Sequence, residues 1–158
     1  MKQRPLPKTV TPLADELLSG WLTRLAVTNH CEVDELLAHI GIETRQVAMM
    51  DFDLEVDATT AEKISIAARV AAETVQSLTF GTMTQTEALM TARVAFQSCP
   101  DCSRRGIALK QWRKLWAFDC QICGTRLLSI LIKPDRSRIV SDVRTAPSFN
   151  HPDRVSGP

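Results

Sequence analysis

No apolar run in this chain approaches the ~18 residues that a membrane-spanning helix needs, and Met1-Lys2-Gln3-Arg4-Pro5 lacks the apolar core of a secretory signal. A soluble, cytoplasmic protein with no membrane partner is expected. The nucleotide-binding pattern G-x4-G-K-[ST] is absent, and no Ser/His/Asp grouping offers an activated nucleophile. His30, His39 and His151 are scattered, and no two of them have the spacing of metal ligands. A redox dithiol normally sits on a βαβ pattern, which this sequence does not show. The expectation is a protein that is not an enzyme.

What is present is a set of cysteines with metal-site spacing. Cys99-Pro100-Asp101-Cys102 and Cys120-Gln121-Ile122-Cys123 form two C-x2-C pairs, the second followed by Gly124. Each pair can fold into a tight knuckle, and two facing knuckles supply the four tetrahedral sulfurs of a closed structural zinc site. Pro100 fixes a turn φ, and Gly124 lets the backbone fold back under the second pair. The five cysteines are an odd count without a secretory signal, so metal ligation is expected over disulfides. Zn2+ is the expected cofactor. Iron in the same four-sulfur set stays open, because a sulfur tetrahedron accepts either metal. Such a site has no open coordination position for a catalytic water.

Taken in order, the pattern predicts a mostly α fold: a helix-turn-helix-like helical bundle followed by a small four-cysteine zinc module. Residues 1–12, with Pro5, Pro7 and Pro12 among Lys2, Arg4 and Lys8, read as an extended basic arm. The helical domain spans 13–97. Its first helix shows Leu13, Leu17, Trp21 and Leu25 at four-residue steps and breaks at Asn29-His30. A second has Val33, Leu36, Leu37 and Ile40 on one face and ends at Gly41, where a left-handed cap is cheap. So short a join makes a helix-turn-helix, but the outward Glu32, Asp34 and Glu35 would repel a phosphate backbone, so packing or protein contact is the expected use. Cys31, in the join, reads as a small buried apolar residue rather than a further ligand. Asp51, Asp53, Glu55 and Asp57 alternate with apolar residues and read as a solvated edge or linker rather than a hard-cation site. A third helix is expected from a Thr59-x-x-Glu62 capping box through Leu78, and a fourth from Thr84-x-x-Glu87 to Phe96. Residues 98–132 make the zinc module, with a strand-like run from Leu127 to Ile132. Residues 133–158 are expected to be disordered.

Charge divides the chain. Up to Ser98 there are eight Lys/Arg against thirteen Asp/Glu, and from Cys99 onward eleven against five. A phosphate backbone would be met mainly by the back. Between the knuckles, Arg104, Arg105, Lys110, Arg113 and Lys114 interleave with Trp112, Leu115, Trp116 and Phe118, and Trp112 and Trp116 stand four residues apart. These five cations are the candidate nucleic-acid or partner-binding residues. The aromatics either form the core that a zinc module otherwise lacks or offer stacking surfaces, and the two uses are compatible.

Leu17-Leu18-Ser19-Gly20-Trp21-Leu22-x-Arg24-Leu25-Ala26, then Asn29, then Glu35-Leu36-Leu37-x-x-Ile40-Gly41, resembles the opening of the TniQ family of transposition accessory proteins. Cys99-Pro-x-Cys102, Trp112-Arg113-x-x-Trp116 and Cys120-x-x-Cys123-Gly124-x-x-Leu127-Leu128 are similar to that family's zinc-binding segment. The resemblance runs from about Pro5 to Leu131. That family commonly has His where Cys123 stands, a change that keeps four ligands, and Gly where His30 stands. The resemblance implies an adaptor that helps direct integration to target DNA. Its implied partners are an AAA+ ATPase regulator and a targeting complex, with DNA met directly or through a partner. The long C-terminal region of larger members is lacking, so sequence-specific reading of target DNA does not carry over. A free-standing helix-turn-helix and zinc regulator that binds DNA is the alternative, and self-association into a homodimer stays open.

Overall fold

The computed structural model describes residues 5–43, 49–81, 83–92 and 94–130. The start of the arm and the segment expected to be disordered, 133–158, lie outside the described residues. The fold is mostly helical, and no helix among the described residues is long and apolar enough to cross a membrane.

The arm is packed, not free. Leu6 is buried and its N–H donates to Ala67 O at 2.9 Å, while the Trp21 indole N–H donates to Val10 O at 2.9 Å. Helix α1, Leu18–Thr28, starts later than its periodicity suggests. Asp15 adopts a left-handed φ of 61°, and Glu16 pairs with Leu109 in an isolated bridge, so the chain reaches α1 through a turn. Leu18, Trp21, Leu22 and Leu25 then fill the core as their spacing requires.

The join to α2, Val33–His39, turns on His30 at φ 57°, the left-handed region that a Gly would enter without strain. Asn29 secures the turn by exchanging hydrogen bonds with the Lys8 backbone, at 3.0 and 2.9 Å. Cys31, expected to be buried, is half-buried and packs against the core. Gly41 closes α2 at φ 74°.

Three expectations need correction. The acidic run is neither extended nor solvated throughout: α3 covers Met49–Leu54, and Asp53 is buried at 1 % exposure. The third helix is two helices, α4 (Ala58–Ala68) and α5 (Ala72–Ser77), because Arg69 turns left-handed at φ 58° and ends the first. Its N-cap is Asp57, whose carboxylate accepts from Thr60 N–H at 2.9 Å, rather than Thr59. The Thr84 and Glu87 capping box is formed, yet α6 covers only Gln85–Leu89. None of its residues is buried, so nothing extends it, and Thr91 and Ala92 instead join the backbone of Lys114 and Arg113.

A second core cluster holds Cys99, Cys102, Ile107, Leu109, Trp112, Ala117, Cys120 and Leu127. Strand β1 (Gln97–Ser98) pairs antiparallel with β2 (Leu128–Ser129), Gln97 opposite Ser129; of the expected run from Leu127 to Ile132, residues 131 and 132 lie outside the described residues. The module seats directly on α1. Leu17 N–H donates to Ala108 O at 2.8 Å, and a β-carbon at Gly20 would stand 2.7 Å from Ala108 N, so this approach requires glycine.

Asp53 ties the two clusters together. Its carboxylate accepts from Ser19 N–H and the Ser19 hydroxyl, both at 2.8 Å, and meets the Arg113 guanidinium at 3.1 Å. Truncating one member of a buried pair strands the other charge in low dielectric. Asp53→Leu should therefore lower unfolding free energy by about 3–5 kcal/mol in urea titrations, and the double variant Asp53→Leu, Arg113→Met should recover most of that loss. A single-variant cost below about 1 kcal/mol would show that the pair does not hold the clusters together.

Candidate metal centre

The first knuckle is built by helix α7, Pro100–Ser103, which Cys99 caps: its sulfur accepts from Cys102 N–H at 3.4 Å, and Pro100 takes the position where a missing N–H is harmless. The second turns on Gly124, at φ 72°, whose N–H donates to Cys120 O at 2.7 Å, while Cys120 N–H donates to Thr125 O at 2.8 Å. The Thr125 hydroxyl reaches Asp101 Oδ2 at 2.9 Å and links the knuckles.

The four sulfurs all lie within 4.8 Å of one another. Cys99 to Cys123 is 3.4 Å, Cys102 to Cys123 is 3.7 Å, and Cys120 to Cys102 is 3.8 Å. A metal–sulfur bond of about 2.3 Å in a regular tetrahedron sets sulfurs about 3.8 Å apart, so the cluster fits a closed four-thiolate site. Cys99, Cys102 and Cys120 are buried, whereas Cys123 is exposed. Burial pushes the Cys102 thiol up to about 12 and raises Cys99 also. Hydrogen bonding to Thr125 and to Cys99 brings Cys123 down to about 6. Filling the site therefore means expelling protons from the buried thiols, and metal affinity falls as pH falls. The Arg105 guanidinium donates to Cys102 Sγ at 3.4 Å, an outer contact of the kind that stabilises a coordinated thiolate.

The candidate cations do not form one face. Arg113, expected outside, is buried at 4 % exposure beside Asp53. It lies with Trp112 on the buried side of a 3-10 turn, Lys110–Arg113, rather than facing outward. Lys110 is half-buried, donates its ammonium to Ser77 O at 2.6 Å and sits over the Phe80 ring. Arg104 and Arg105 are exposed and Lys114 is half-buried. The aromatics divide in turn. Trp112 is core, with its indole N–H buried and unpartnered among the described residues, while Trp116 and Phe118 are about half exposed. The two tryptophans do not stack as helical neighbours, because the turn ends at Arg113 and Lys114 is extended.

Sequence reasoning missed two carboxylates that position this module and a third that is buried in the segment before α1. Asp53 is one. Asp15 is the second: its carbonyl accepts from Lys110 N–H at 2.8 Å and its carboxylate from Gln111 N–H at 2.9 Å. Glu16 is the third, fully buried and closed by Arg24 at 2.7 Å. No local pattern marks Asp53 or Asp15, since their partners Arg113, Lys110 and Gln111 lie on other elements.

No curated protein matches the chain. The TniQ family model matches residues 7–125 of the 158, from the packed arm through both cysteine knuckles. With the match covering most of the chain and its landmarks in order, the chain belongs to the TniQ family of transposition-associated accessory proteins.

Proposed function

We propose that this protein is a non-enzymatic adaptor of DNA transposition, a zinc-containing accessory that helps direct integration to target DNA. It does so by joining a targeting complex to an AAA+ ATPase regulator of the transposase. The observation that carries the reading is the four-sulfur cluster at the head of a module anchored on the helical part, within a chain of the TniQ family. A closed thiolate tetrahedron organises a binding surface and leaves no position for a reacting water. Four thiolates in a tetrahedron suit Zn2+, and iron is the alternative occupant of the same ligand set. On this reading the exposed Arg104 and Arg105 and the half-buried Lys114 meet the nucleic acid or the partner bound to it, and the acidic outer face of α2 serves protein contact.

Purified protein should carry about one zinc per chain by elemental analysis, held by Cys99, Cys102, Cys120 and Cys123. A Cys99→Ser, Cys120→Ser variant should lose that metal and melt its module, while much of the helical signal persists in circular dichroism. Full retention of metal by that variant would remove the ligand assignment.

In a reconstituted integration reaction, omitting the chain should cut targeted insertion by about tenfold or more, a transition-state or binding deficit of about 1.4 kcal/mol. Wild-type protein should restore it and the double-serine variant should not. The variant Arg104→Glu, Lys114→Glu should fold normally, because neither cation sits in an ion pair among the described residues and charges that solvent reaches add little to stability, yet lose association. Insertion that is indifferent to omission, together with tight duplex binding by the chain alone and a steep salt slope, would replace the adaptor with a DNA-binding regulator.

A further inference from the structure

We propose that the cleft between the segment preceding α1 and the cysteine module binds a short acidic peptide segment bearing a bulky apolar residue, presented by a protein partner. The proposal rests on the adaptor reading for the kind of partner and deepens it by assigning the cations Arg105 and Lys114 a ligand.

The cleft is open and has a volume of about 960 Å³, at the upper end of sites that take a compact ligand. Its apolar walls are aliphatic: Leu13 on one side, Ile107 and Ile122 on the other. Arg105, whose guanidinium also donates to Cys102 Sγ at 3.4 Å, and Lys114 supply positive charge at the lining. Arg24 also lines it, but both its Nε and Nη2 close on Glu16 at 2.7 Å, so its charge is already matched. Lys114 makes no salt bridge among the described residues, although its charge acts on the Glu87 carboxylate.

The opposite wall discriminates between ligands. Asp15 lines the cleft and is held in its left-handed turn by Lys110 and Gln111, and its carboxylate also accepts from the Gln121 side-chain amide at 3.2 Å. A fixed carboxylate repels the anionic groups of a phosphodiester and of an acidic peptide alike, but only the peptide brings N–H donors that such an acceptor can bind. Single-stranded nucleic acid is gripped by aromatic faces, and none lines this cleft; Trp116 and Phe118 are exposed elsewhere. Two cations, one acceptor and an aliphatic floor match a chain that alternates carboxylates, amide donors and an apolar side chain.

The test pans the full-length, metal-loaded protein against phage-displayed random short peptides, then titrates a fluorescein-labelled copy of the enriched sequence by anisotropy. Two variants carry it: Lys114→Glu, which reverses a cation, and Ala14→Trp, which fills the mouth from an exposed position. Metal content and melting temperature serve as controls, and either variant suffices if the other misfolds. Enrichment of acidic sequences with a bulky apolar residue, weakened about tenfold or more by the variants, is the expected result. No enrichment, enriched peptides without carboxylates, or affinity unchanged in the variants would overturn the proposal. So would a labelled oligothymidylate or duplex that displaces the peptide and is weakened by the same variants, which would assign the cleft to nucleic acid. Since no transposition component is present, peptide binding that persists while omission leaves insertion unaffected would remove only the adaptor reading. Failure of peptide binding alone would remove only the cleft.

Discussion

One buried carboxylate, Asp53, sets how the pieces of this molecule meet. From α3 it caps the start of α1 through Ser19 and reaches across to Arg113 of the cysteine module, while its backbone carbonyl accepts from Phe80 N–H at 2.8 Å. The Phe80 ring in turn lies 5.9 Å from both Lys110 and Arg113. Burial pushes the Asp53 carboxyl up, and the Ser19 hydrogen bonds followed by the Arg113 charge pull against that rise. A charge so placed gives little net stability over a well-packed apolar core, because desolvation consumes most of the attraction. What it confers is geometry. The pair is satisfied in one relative placement of α1, α3 and the module, and any other leaves charge buried without its partner.

This division explains which features were legible in the sequence. The cysteine knuckles, the α1 to α2 hairpin, the Gly41 stop and the Thr84 and Glu87 box all depend on residues within a few positions of one another, where spacing and backbone preference act directly. Asp53 and Arg113 stand 60 residues apart, and Ser19 and Asp53 stand 34 apart. In each case a polar residue typical of a solvated surface is buried by a distant partner, and no local pattern announces it. The break at Arg69 failed differently. Its flanking apolar positions keep helical spacing on both sides of the turn, so periodicity alone runs straight through a residue in the left-handed region.

Burial of Arg113 and engagement of Lys110 also reshape the charge asymmetry. The basic excess of the back half stands, but within the described module the outward cations reduce to Arg104, Arg105, Lys114 and Arg126, and the last is beside Asp119 at 3.7 Å. A few separated cations give weaker attraction to a polyanion than a continuous stripe, since each neutralised phosphate contributes its own counterion release. They are better suited to a small number of directed contacts.

The cysteine cluster then bears on binding through position rather than reactivity. Arg105 follows the first knuckle and touches Cys102 Sγ, Ile107 N–H donates to Cys102 O at 3.2 Å, and Gln121 and Ile122 lie inside the second knuckle, between Cys120 and Cys123. All four residues line the same cleft. The opposite wall hangs from Asp15, whose turn is held by Lys110 and Gln111 of the module. Each wall therefore depends on the knuckles being closed, although no lining residue needs to be a ligand. A metal drawn into the four sulfurs would set the distance between a cation and an aliphatic wall several residues away, the arrangement expected where a structural ion serves recognition rather than catalysis.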